Sequence, residues 1–507
     1  MAADFPAELE LSYVTAGSGA VLNGANSADQ AGASVSLAGD INGDGIDDLL
    51  IGAPNAATAG VSVGAGYLLF GTDQGPPNQL NLSTLSGAKG TVINAESVFD
   101  AAGVSVSAAG DINLEGIDDL VIGASGASPN VGYSGASYVV FGDDQGLPSP
   151  LNLSEIDGSN GVVFNGVGAY DESGASVSAA GDINGDGIAD LVIGAPYANG
   201  GNGAAYVVFG SDQQWTSPVD LSGLDGSDGF RINSAGSSDT LGVSVSAAGD
   251  INGDGIDDLL IGATLAGSPG AYNGASYVVF GSTEAWSSAF NLSALDGNNG
   301  VLFNGVSPGD EAGASVSAAG DVNGDGLDDL IIGAPLADPN GDDSGSVYVV
   351  FGNDQSWSSP FNLSGLDGNN GFVLNGVNAD DRAGAAVSFA GDFNTDGITD
   401  LMIGAPRADP NGADSGASYV VFGSDQAWSA SIDLSSLDGS SGFVLNGAKA
   451  GDQSGGSVGT AGDIDNNGVV DLVTGARLAD PGGDKSGACY VVYVELVDMI
   501  FTSGFEQ

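Results

Sequence analysis

Histidine, cysteine and basic residues are scarce in this chain, and each shortage removes a class of function. The sequence has no histidine, one cysteine (Cys489), and 7 lysines and arginines against 65 acidic residues. A serine nucleophile would lack its usual histidine base, and an intrachain disulfide needs a second cysteine. The formal net charge of −58 repels nucleic acids and anionic membranes, and no apolar run is long enough for a transmembrane helix. We therefore expect no enzyme, no nucleic-acid partner and no membrane insertion.

Glycine and short acidic loops are what the chain has in abundance. Its 507 residues include 87 glycines at recurring turn positions, which is typical of a β protein rich in turns. One loop, Asp321-Val-Asn-Gly-Asp-Gly-Leu-Asp-Asp329, occurs in seven versions that begin at Asp40, Asp111, Asp182, Asp250, Asp321, Asp392 and Asp463. Successive versions lie 71 residues apart, except for one step of 68. The chain is therefore predicted to consist of seven repeated units.

Each loop carries side-chain oxygens at positions 1, 3, 5 and 9, and Gly326 occupies position 6, where the turn needs a positive φ. The backbone carbonyl at position 7 adds another oxygen. Hard oxygen ligands in a flexible loop suit calcium, and a closed set of protein ligands suits a structural ion. The sequence predicts up to seven structural Ca²⁺ ions. The candidate ligands are Asp40, Asn42, Asp44, Ile46, Asp48, Asp111, Asn113, Glu115, Ile117, Asp119, Asp182, Asn184, Asp186, Ile188, Asp190, Asp250, Asn252, Asp254, Ile256, Asp258, Asp321, Asn323, Asp325, Leu327, Asp329, Asp392, Asn394, Asp396, Ile398, Asp400, Asp463, Asp465, Asn467, Val469 and Asp471.

The second of these loops is predicted to bind calcium most weakly. Glu115 stands at position 5 in place of aspartate, and its extra methylene moves the carboxylate outward. Leu114 replaces the usual glycine at position 4. The ligand charge is unchanged, so geometry alone is expected to lower the affinity.

Each unit is predicted to form four short antiparallel strands, A to D, with the acidic loop between strands A and B. Strand A is built from small residues that suit a crowded axis, and strand B is a continuous apolar run that predicts burial on both faces. Seven such units predict an all-β, seven-bladed β-propeller over residues 1–497. The expected blades are about 32–94, 103–166, 174–233, 242–305, 313–376, 384–447 and 455–496.

The two ends of the repeat are predicted to meet. Unit seven stops after its strand C, whereas residues 17–24 match a strand D that has no unit of its own. The N-terminal strand is therefore expected to complete blade seven, and residues 498–507 are expected to be a tail outside the repeat.

The repeated sequence resembles the FG-GAP repeat of integrin α-subunit propellers, with related repeats in bacterial surface proteins and in some fungal lectins. Gly313-Ala-Ser-Val, the acidic loop and Gly333-Ala-Pro335 carry the resemblance, which extends over roughly residues 17–496. It implies a seven-bladed propeller with calcium between strands A and B. The chain departs from the repeat at the Phe of Phe-Gly in every unit, and at the Pro of Gly-Ala-Pro in three units (Ser125, Thr264 and Arg477). Nothing in the sequence resembles the other integrin domains, so pairing with a β-subunit is not implied.

Two further sets of residues recur with the repeat. The four tryptophans are expected to fill gaps between blades, and the alternative is a ring of sugar-binding aromatics: Trp215, Trp286, Trp357 and Trp428. Seven aspartates stand three residues before the glycine that precedes strand A: Asp29, Asp100, Asp171, Asp239, Asp310, Asp381 and Asp452. We expect them to stabilise turns by bonding to the backbone, with a second ion or ligand contact as the alternative.

The predicted function is a calcium-binding recognition or adhesion module, similar to the integrin α propeller, at the cell surface or outside the cell. The alternative is a lectin-type propeller that binds several carbohydrates. We expect a monomer with an unidentified protein or glycan ligand, and we do not expect Met1-Ala-Ala-Asp-Phe-Pro6 to be a signal peptide. The ligand is expected on the face opposite the calcium loops, where aromatic and arginine residues break the repeat: Tyr133, Tyr170, Tyr197, Tyr272, Arg382, Arg407 and Arg477.

Overall fold

Seven small sheets form the molecule, as the sequence predicts. The computed structural model describes residues 5–14, 17–58, 61–267 and 272–493. In this part of the chain there are seven five-stranded sheets and one two-stranded hairpin, Ala57–Thr58 with Val61–Ser62. The first four strands of each sheet are antiparallel neighbours in the order A, B, C, D. The seven-bladed all-β propeller is confirmed.

The strands have similar bounds in every blade. Strands A are Ser34–Gly39, Ser105–Gly110, Ser176–Gly181, Val245–Gly249, Ser315–Gly320, Ala386–Gly391 and Ser454–Gly462. Strands B are Asp48–Ala53, Asp119–Ala124, Asp190–Ala195, Asp258–Ala263, Asp329–Ala334, Asp400–Ala405 and Asp471–Ala476. Strands C are Ala65–Leu69, Ala136–Val140, Ala204–Val208, Ala275–Val279, Ser346–Val350, Ala417–Val421 and Ala488–Val492. Strands D of blades one to six are Gly90–Asn94, Gly161–Asn165, Gly229–Asn233, Gly300–Asn304, Gly371–Asn375 and Gly442–Asn446.

Small residues allow the strands A to lie against one another around the axis. Every pair of adjacent strands A is in contact, and the strand A of blade seven contacts that of blade one. Strands B and C are buried along their whole length, as in Asp329–Ala334 and Ser346–Val350. Apolar side chains from adjacent blades form seven clusters, one at each junction between blades. The core is thus a ring of seven interfaces between sheets.

The N-terminal strand completes blade seven, as the sequence predicts. Gly19–Asn23 pairs antiparallel with Ala488–Val492, so that Leu22 lies opposite Cys489. Ala20 and Leu22 are fully buried. The expected tail, residues 498–507, lies outside the described residues.

A fifth strand on each sheet was not predicted, and the expectation of four-stranded blades is corrected here. It belongs to the C–D connection of the following unit and runs parallel to strand D, as Ser431–Asp433 does beside Gly371–Asn375. In blade order the fifth strands are Leu151–Asn152, Val219–Asp220, Ala289–Asn291, Phe361–Asn362, Ser431–Asp433, Glu8–Glu10 and Gln79–Asn81. This strand covers part of the outer edge of each sheet, which would otherwise present unpaired backbone groups. A strand of two or three residues is too short to show an alternation of polar and apolar residues, so the sequence does not reveal this fifth strand.

Helical structure in the described residues is confined to single turns. Ala198–Gly201 is a four-residue α-helix in the B–C loop of blade three, and the others are 3₁₀ turns in the C–D connections. The 3₁₀ turns are Leu11–Tyr13, Leu82–Thr84, Gly87–Lys89, Leu153–Glu155, Leu221–Gly223, Leu292–Ala294, Leu363–Gly365 and Leu434–Ser436. Among the described residues we find no helix with the length and apolar character to cross a membrane.

Candidate metal centres

Each acidic loop folds its side chains inward onto its own backbone. In blade five the Asp321 carboxylate accepts hydrogen bonds from the N–H groups of Asp325 at 3.0 Å and of Gly326 at 2.9 Å. The Asp325 carboxylate in turn accepts from the N–H of Leu327 at 3.0 Å. Gly326 has a φ of 92°, as its position in the loop requires. These bonds hold the side chains of positions 1 and 5 on the same side of the turn.

The aspartate at position 9 anchors the loop to the sheet. Asp329 starts strand B and is fully buried. Its two oxygens accept from the N–H of Val322 at 3.0 Å and from the N–H of Gly352, which follows strand C, at 2.8 Å. The same pair of bonds is present in blades one to four and six. Sequence reasoning identified this aspartate as a ligand but missed its anchoring role.

The anchoring carboxylates lack a cationic neighbour. Burial raises the pKa of Asp329 to about 8, and the nearby carboxylates of Asp325 and Asp321 contribute to the rise. Asp48, Asp119, Asp190 and Asp258 show the same shift for the same reason. Among the described residues the one salt bridge, Arg382 to Asp343, involves no loop residue.

The size of this shift favours a bound proton or cation at the loops. A carboxyl whose pKa rises from 3.8 to about 8 on folding costs about 4 kcal/mol at pH 7. Several such penalties would exceed the roughly 5–15 kcal/mol by which a typical domain is stable. Protons or cations bound at the loops would remove these penalties, and a cluster of carboxylate and amide oxygens fits a hard divalent cation such as calcium.

The seventh loop has the most compact set of candidate ligands. One carboxylate oxygen from each of Asp463, Asp465 and Asp471 lies within 4.8 Å of the others. Asp471 is fully buried, and neither of its oxygens has a hydrogen-bond partner of good geometry. Burial, together with the Asp465 and Asp463 charges, raises its pKa to about 9, although the N–H groups of Ile464 and Asp465 lie close enough to lower it. This arrangement fits a divalent cation that accepts the free oxygens.

The second loop differs from the others where the sequence predicts. The N–H of Ile117 makes no bond to the Glu115 carboxylate, whereas the equivalent bond to position 5 is present in the six other loops. Leu114 is exposed and has a φ of 58°, a conformation that favours glycine. Position 4 has a positive φ in every loop, a requirement that the sequence analysis did not identify. Weaker calcium binding at this loop stays a prediction.

The tryptophans lie between blades, as the gap-filling interpretation expects. Trp286 stacks on Phe230 of the preceding strand D with ring centroids 4.3 Å apart, and Trp428 stacks on Phe372 at 4.1 Å. Trp215 and Trp357 meet the equivalent phenylalanines edge to face, at 6.0 and 5.9 Å. All four are partly buried. Phe5 takes the same place against Phe443 of blade six, at 5.4 Å.

The repeated aspartates before strand A stabilise turns, as expected. Asp310 accepts a hydrogen bond from the N–H of Ser307 at 2.9 Å, three residues earlier. The equivalent bond is present at Asp29, Asp100, Asp171, Asp239 and Asp381. At Asp452 burial raises the pKa of the carboxyl to about 6, and the charge and the N–H of Lys449, three residues earlier, oppose the rise.

The face opposite the acidic loops exposes aromatic rings on blades one to four. Tyr133 and Tyr170 stack with their centroids 5.7 Å apart at 16°, and their exposed fractions are 45% and 66%. Tyr197, Tyr272 and Phe99 are exposed on the same face. Phe99 was missed because it stands in an ordinary turn sequence.

The predicted arginines lie on the same face, but on blades five to seven. Arg382 forms a 2.9 Å salt bridge with Asp343. Arg477 is exposed and donates to the Gln453 side chain at 3.4 Å, and Arg407 is exposed. The structure therefore separates the predicted aromatic residues from the predicted arginines.

Comparisons with known proteins support the repeat. Five stretches match the FG-GAP repeat, in units one, three, four, five and six: residues 31–69, 173–208, 241–279, 312–350 and 383–421. Phosphatidylinositol-glycan-specific phospholipase D of Bos taurus is 37% identical over 166 residues, which is 32% of this chain and 18% of that protein. The phospholipase D of the same name from Dictyostelium discoideum is 26% identical over 336 residues, or 62% of this chain and 33% of that protein.

Integrin alpha-5 of Xenopus laevis is 32% identical over 196 residues, which is 35% of this chain and 16% of that protein. The aligned part of this chain thus spans no more than a third of each of these three relatives. The chain contains five FG-GAP repeats within a seven-bladed propeller and is homologous to integrin α subunits and to phosphatidylinositol-glycan-specific phospholipase D.

Proposed function

We propose that this chain is a calcium-stabilised recognition or adhesion module, without catalytic activity, that acts at the cell surface or outside the cell. The acidic loops are the candidate sites for up to seven ions, and the opposite face of blades one to four is the candidate ligand surface. The likeness to integrin α subunits supports the location.

The buried carboxylates of the loops carry the calcium part of the proposal. Their pKa values are raised by burial and by one another, and no basic side chain in the described residues neutralises them. An ion that binds only the folded chain would stabilise it by mass action, and seven sites would add their effects. A chelator is therefore expected to lower the melting temperature strongly. If the melt stays unchanged after the removal of metal has been verified, calcium does not have this role.

The exposed aromatic residues carry the ligand part of the proposal. Phe99 and Tyr170 have φ values of 67° and 64°, whereas Gly309 and Gly451 occupy the equivalent turn positions in two other blades. A bulky residue in this region is rare and costs about 1–3 kcal/mol. Exposed aromatic side chains held at such a cost are favoured anchors for a partner.

Substitution of the stacked pair tests the ligand surface. Tyr133→Ala with Tyr170→Ala is expected to abolish binding to a partner selected by protein and glycan arrays. Tyr13→Ala is the matched control, because Tyr13 is 72% exposed but lies in the N-terminal 3₁₀ turn. Unchanged binding of the double variant, with loss of binding after changes on the calcium side, would place the ligand site elsewhere.

A carbohydrate-binding function is the second candidate, because cavities recur beside the tryptophan position. A cavity of about 430 Å³ is bordered by Trp428 and by Asp396 of the acidic loop, and one of about 330 Å³ by Trp286 and Asp254. Equivalent sites would give multivalent binding on a glycan array. Loss of sugar binding in Trp428→Ala, with binding retained in Tyr170→Ala, would favour this function over the first.

A further inference from the structure

An aspartate at loop position 8 crosses four of the seven junctions between blades. The Asp118 carboxylate of blade two accepts a hydrogen bond from the N–H of Asp40, the first residue of the blade-one loop, at 3.1 Å. The same bond to position 1 of the preceding loop is made by Asp257 at 2.8 Å, Asp328 at 3.0 Å and Asp47 at 2.8 Å. We call Asp47, Asp118, Asp257 and Asp328 the junction aspartates.

A glycine with a positive φ precedes every loop, and at the four linked junctions it leaves room for the crossing carboxylate. Gly39, directly before Asp40, has a φ of 73°, and a Cβ built on it would overlap the Asp118 carboxylate. Gly181, Gly249 and Gly462 are in the same situation beside the other three junction aspartates. A side chain at these positions would displace the crossing carboxylate.

Each junction aspartate lies between two loops. Asp118 accepts its hydrogen bond from the first residue of the preceding loop and is followed directly by Asp119, a candidate ligand of its own loop. Asp328 is placed in the same way between Asp250 and Asp329. Each of these charges is therefore close to the candidate ions of two adjacent blades.

Three junctions lack the crossing carboxylate. Position 8 is Ala189 in blade three, Thr399 in blade six and Val470 in blade seven. The linked loops thus form two groups of three, in blades seven, one and two and in blades three, four and five. Among the described residues no crossing carboxylate reaches the loop of blade six, whose contact with the blade-five loop is a backbone bond from the N–H of Thr399 to the carbonyl of Asp321 at 3.3 Å.

The junction between blades seven and one has independent evidence for a ligand. It contains the fully buried Asp471, whose oxygens lack a hydrogen-bond partner of good geometry, close to the carboxylates of Asp463 and Asp465. Asp47 of blade one binds the N–H of Asp463 at that site, and the Asn466 side chain donates to Asp73 of blade one at 2.7 Å. A cation in this loop would therefore be held by a structure that spans the closure of the ring.

We propose that the junction aspartates are positioning residues that couple calcium binding between adjacent blades, in two groups of three loops with the blade-six loop independent. The inference rests on the proposed calcium binding. An ion in one loop offsets the negative charge of the junction aspartate, which reduces the repulsion between that aspartate and the carboxylates of the neighbouring loop. The hydrogen bond from the junction aspartate then holds the backbone at position 1 of the preceding loop in place. Outer partners of metal ligands commonly change affinity by about 10–100-fold when they are replaced, and we expect about tenfold here.

Ion counting on the full chain tests the coupling. Native mass spectrometry during a calcium titration is expected to show fewer species with two and five ions than a statistical distribution, because each group of three fills together and the blade-six loop fills independently. Asp118→Asn keeps one acceptor oxygen but removes the charge, and it is expected to weaken two sites by about tenfold. Asp484→Asn, on the opposite face, removes the same charge and is expected to leave all sites unchanged. Anomalous scattering from calcium-soaked crystals identifies the weakened loops as those of blades one and two.

A gain of coupling provides a test that does not depend on damage to the fold. Ala189→Asp introduces the missing carboxylate beside Asp111 and is expected to tighten the weak site of blade two. The proposed coupling would be wrong if the numbers of bound ions in the parent followed a statistical distribution, or if the calcium affinities of both Asp118→Asn and Ala189→Asp equalled those of the parent. Either result would leave the proposed calcium binding intact. A parent chain that binds no calcium would overturn both this inference and the proposed function.

Discussion

Removal of the N-terminal segment is expected to open the ring. Residues 5–23 contribute the fourth strand of blade seven and the fifth strand of blade six. A chain that begins after Asn23 would lose both, and strand Ala488–Val492 would lose one of its two neighbours. An unpaired edge of this kind invites aggregation.

The buried side chains of this segment set the size of the effect. Phe5, Leu11, Val14 and Leu22 are between 0% and 9% exposed. Burial of a large apolar side chain contributes about 1.5–3 kcal/mol, so these four contribute about 6–12 kcal/mol as an upper estimate. This loss is comparable to the whole stability of a typical domain, about 5–15 kcal/mol. The truncated chain is therefore expected to be unfolded or aggregated at 25 °C.

Three truncations separate the contributions. Removal of residues 1–10 deletes Phe5 and the strand Glu8–Glu10 but leaves the closing strand, so an intermediate loss of stability is expected. Removal of residues 1–23 deletes the closing strand as well, and removal of the tail 499–507 is the control. Soluble yield, thermal melts and light scattering report the outcome, and a synthetic peptide of residues 5–23 is expected to restore part of the fold in trans.

Equal melting temperatures of the chains lacking 1–23 and 499–507 would refute this reasoning. A soluble monomer of the first truncation, with cooperative unfolding close to that of the parent, would show that the closing strand contributes little.

Three further predictions concern the loops and the junctions. Asp329→Asn tests the buried charge: since burial raises the folded-state pKa to about 8, metal-free stability falls as pH rises from about 4 to about 8. At pH 8 with chelator, the free energy of unfolding of the variant should therefore exceed that of the parent by up to about 4 kcal/mol, whereas with calcium it should be lower than that of the parent. Urea melts that rank the two proteins in the same order under both conditions would contradict this. Glu115→Asp combined with Leu114→Gly should tighten the second site in calorimetric calcium titrations, and an unchanged affinity would exclude geometry as the cause. Trp286→Ala should lower stability by about 2–4 kcal/mol, because it empties the space beside Phe230; a melting temperature within the error of the parent would contradict a gap-filling role.

The fold was largely predictable because its information is local and repeated seven times. Strand B reads as an apolar run bounded by Asp329 and Gly333, and the structure buries all of Asp329–Ala334. The closure of the ring was predictable from the number of strands, because unit seven lacks a strand D at the C-terminal end and the N-terminal segment has one without a unit of its own. The fifth strand could not be found in this way, because Phe361–Asn362 forms a strand only when the strand D of another unit lies beside it.

The candidate site was predictable residue by residue, but its connections were not. All candidate ligands of one loop lie within nine consecutive residues, so the sequence alone shows that they belong to one site. The bond from Gly352 to Asp329 spans 23 residues, and the bond from Asp40 to Asp118 spans 78. An aspartate at position 8 looks like one more acidic residue in an acidic loop, and only the ring arrangement places it on the loop of the next blade.

The two ends of the blades are under different constraints, which supports a division of roles between them. At the loop end, a Cβ on Gly39 or Gly462 would overlap a carboxylate from the next blade, so the choice of residue is fixed by a contact. At the opposite end, the D–A turn also keeps a positive φ in every blade, yet the residue there varies from glycine to Phe99, Tyr170 and Asp380. Because the backbone geometry is constant while the side chain varies, the fold sets the turn and does not require an aromatic ring. The strained rings of Phe99 and Tyr170 therefore need a reason outside the fold, and contact with a ligand is the reason that we propose.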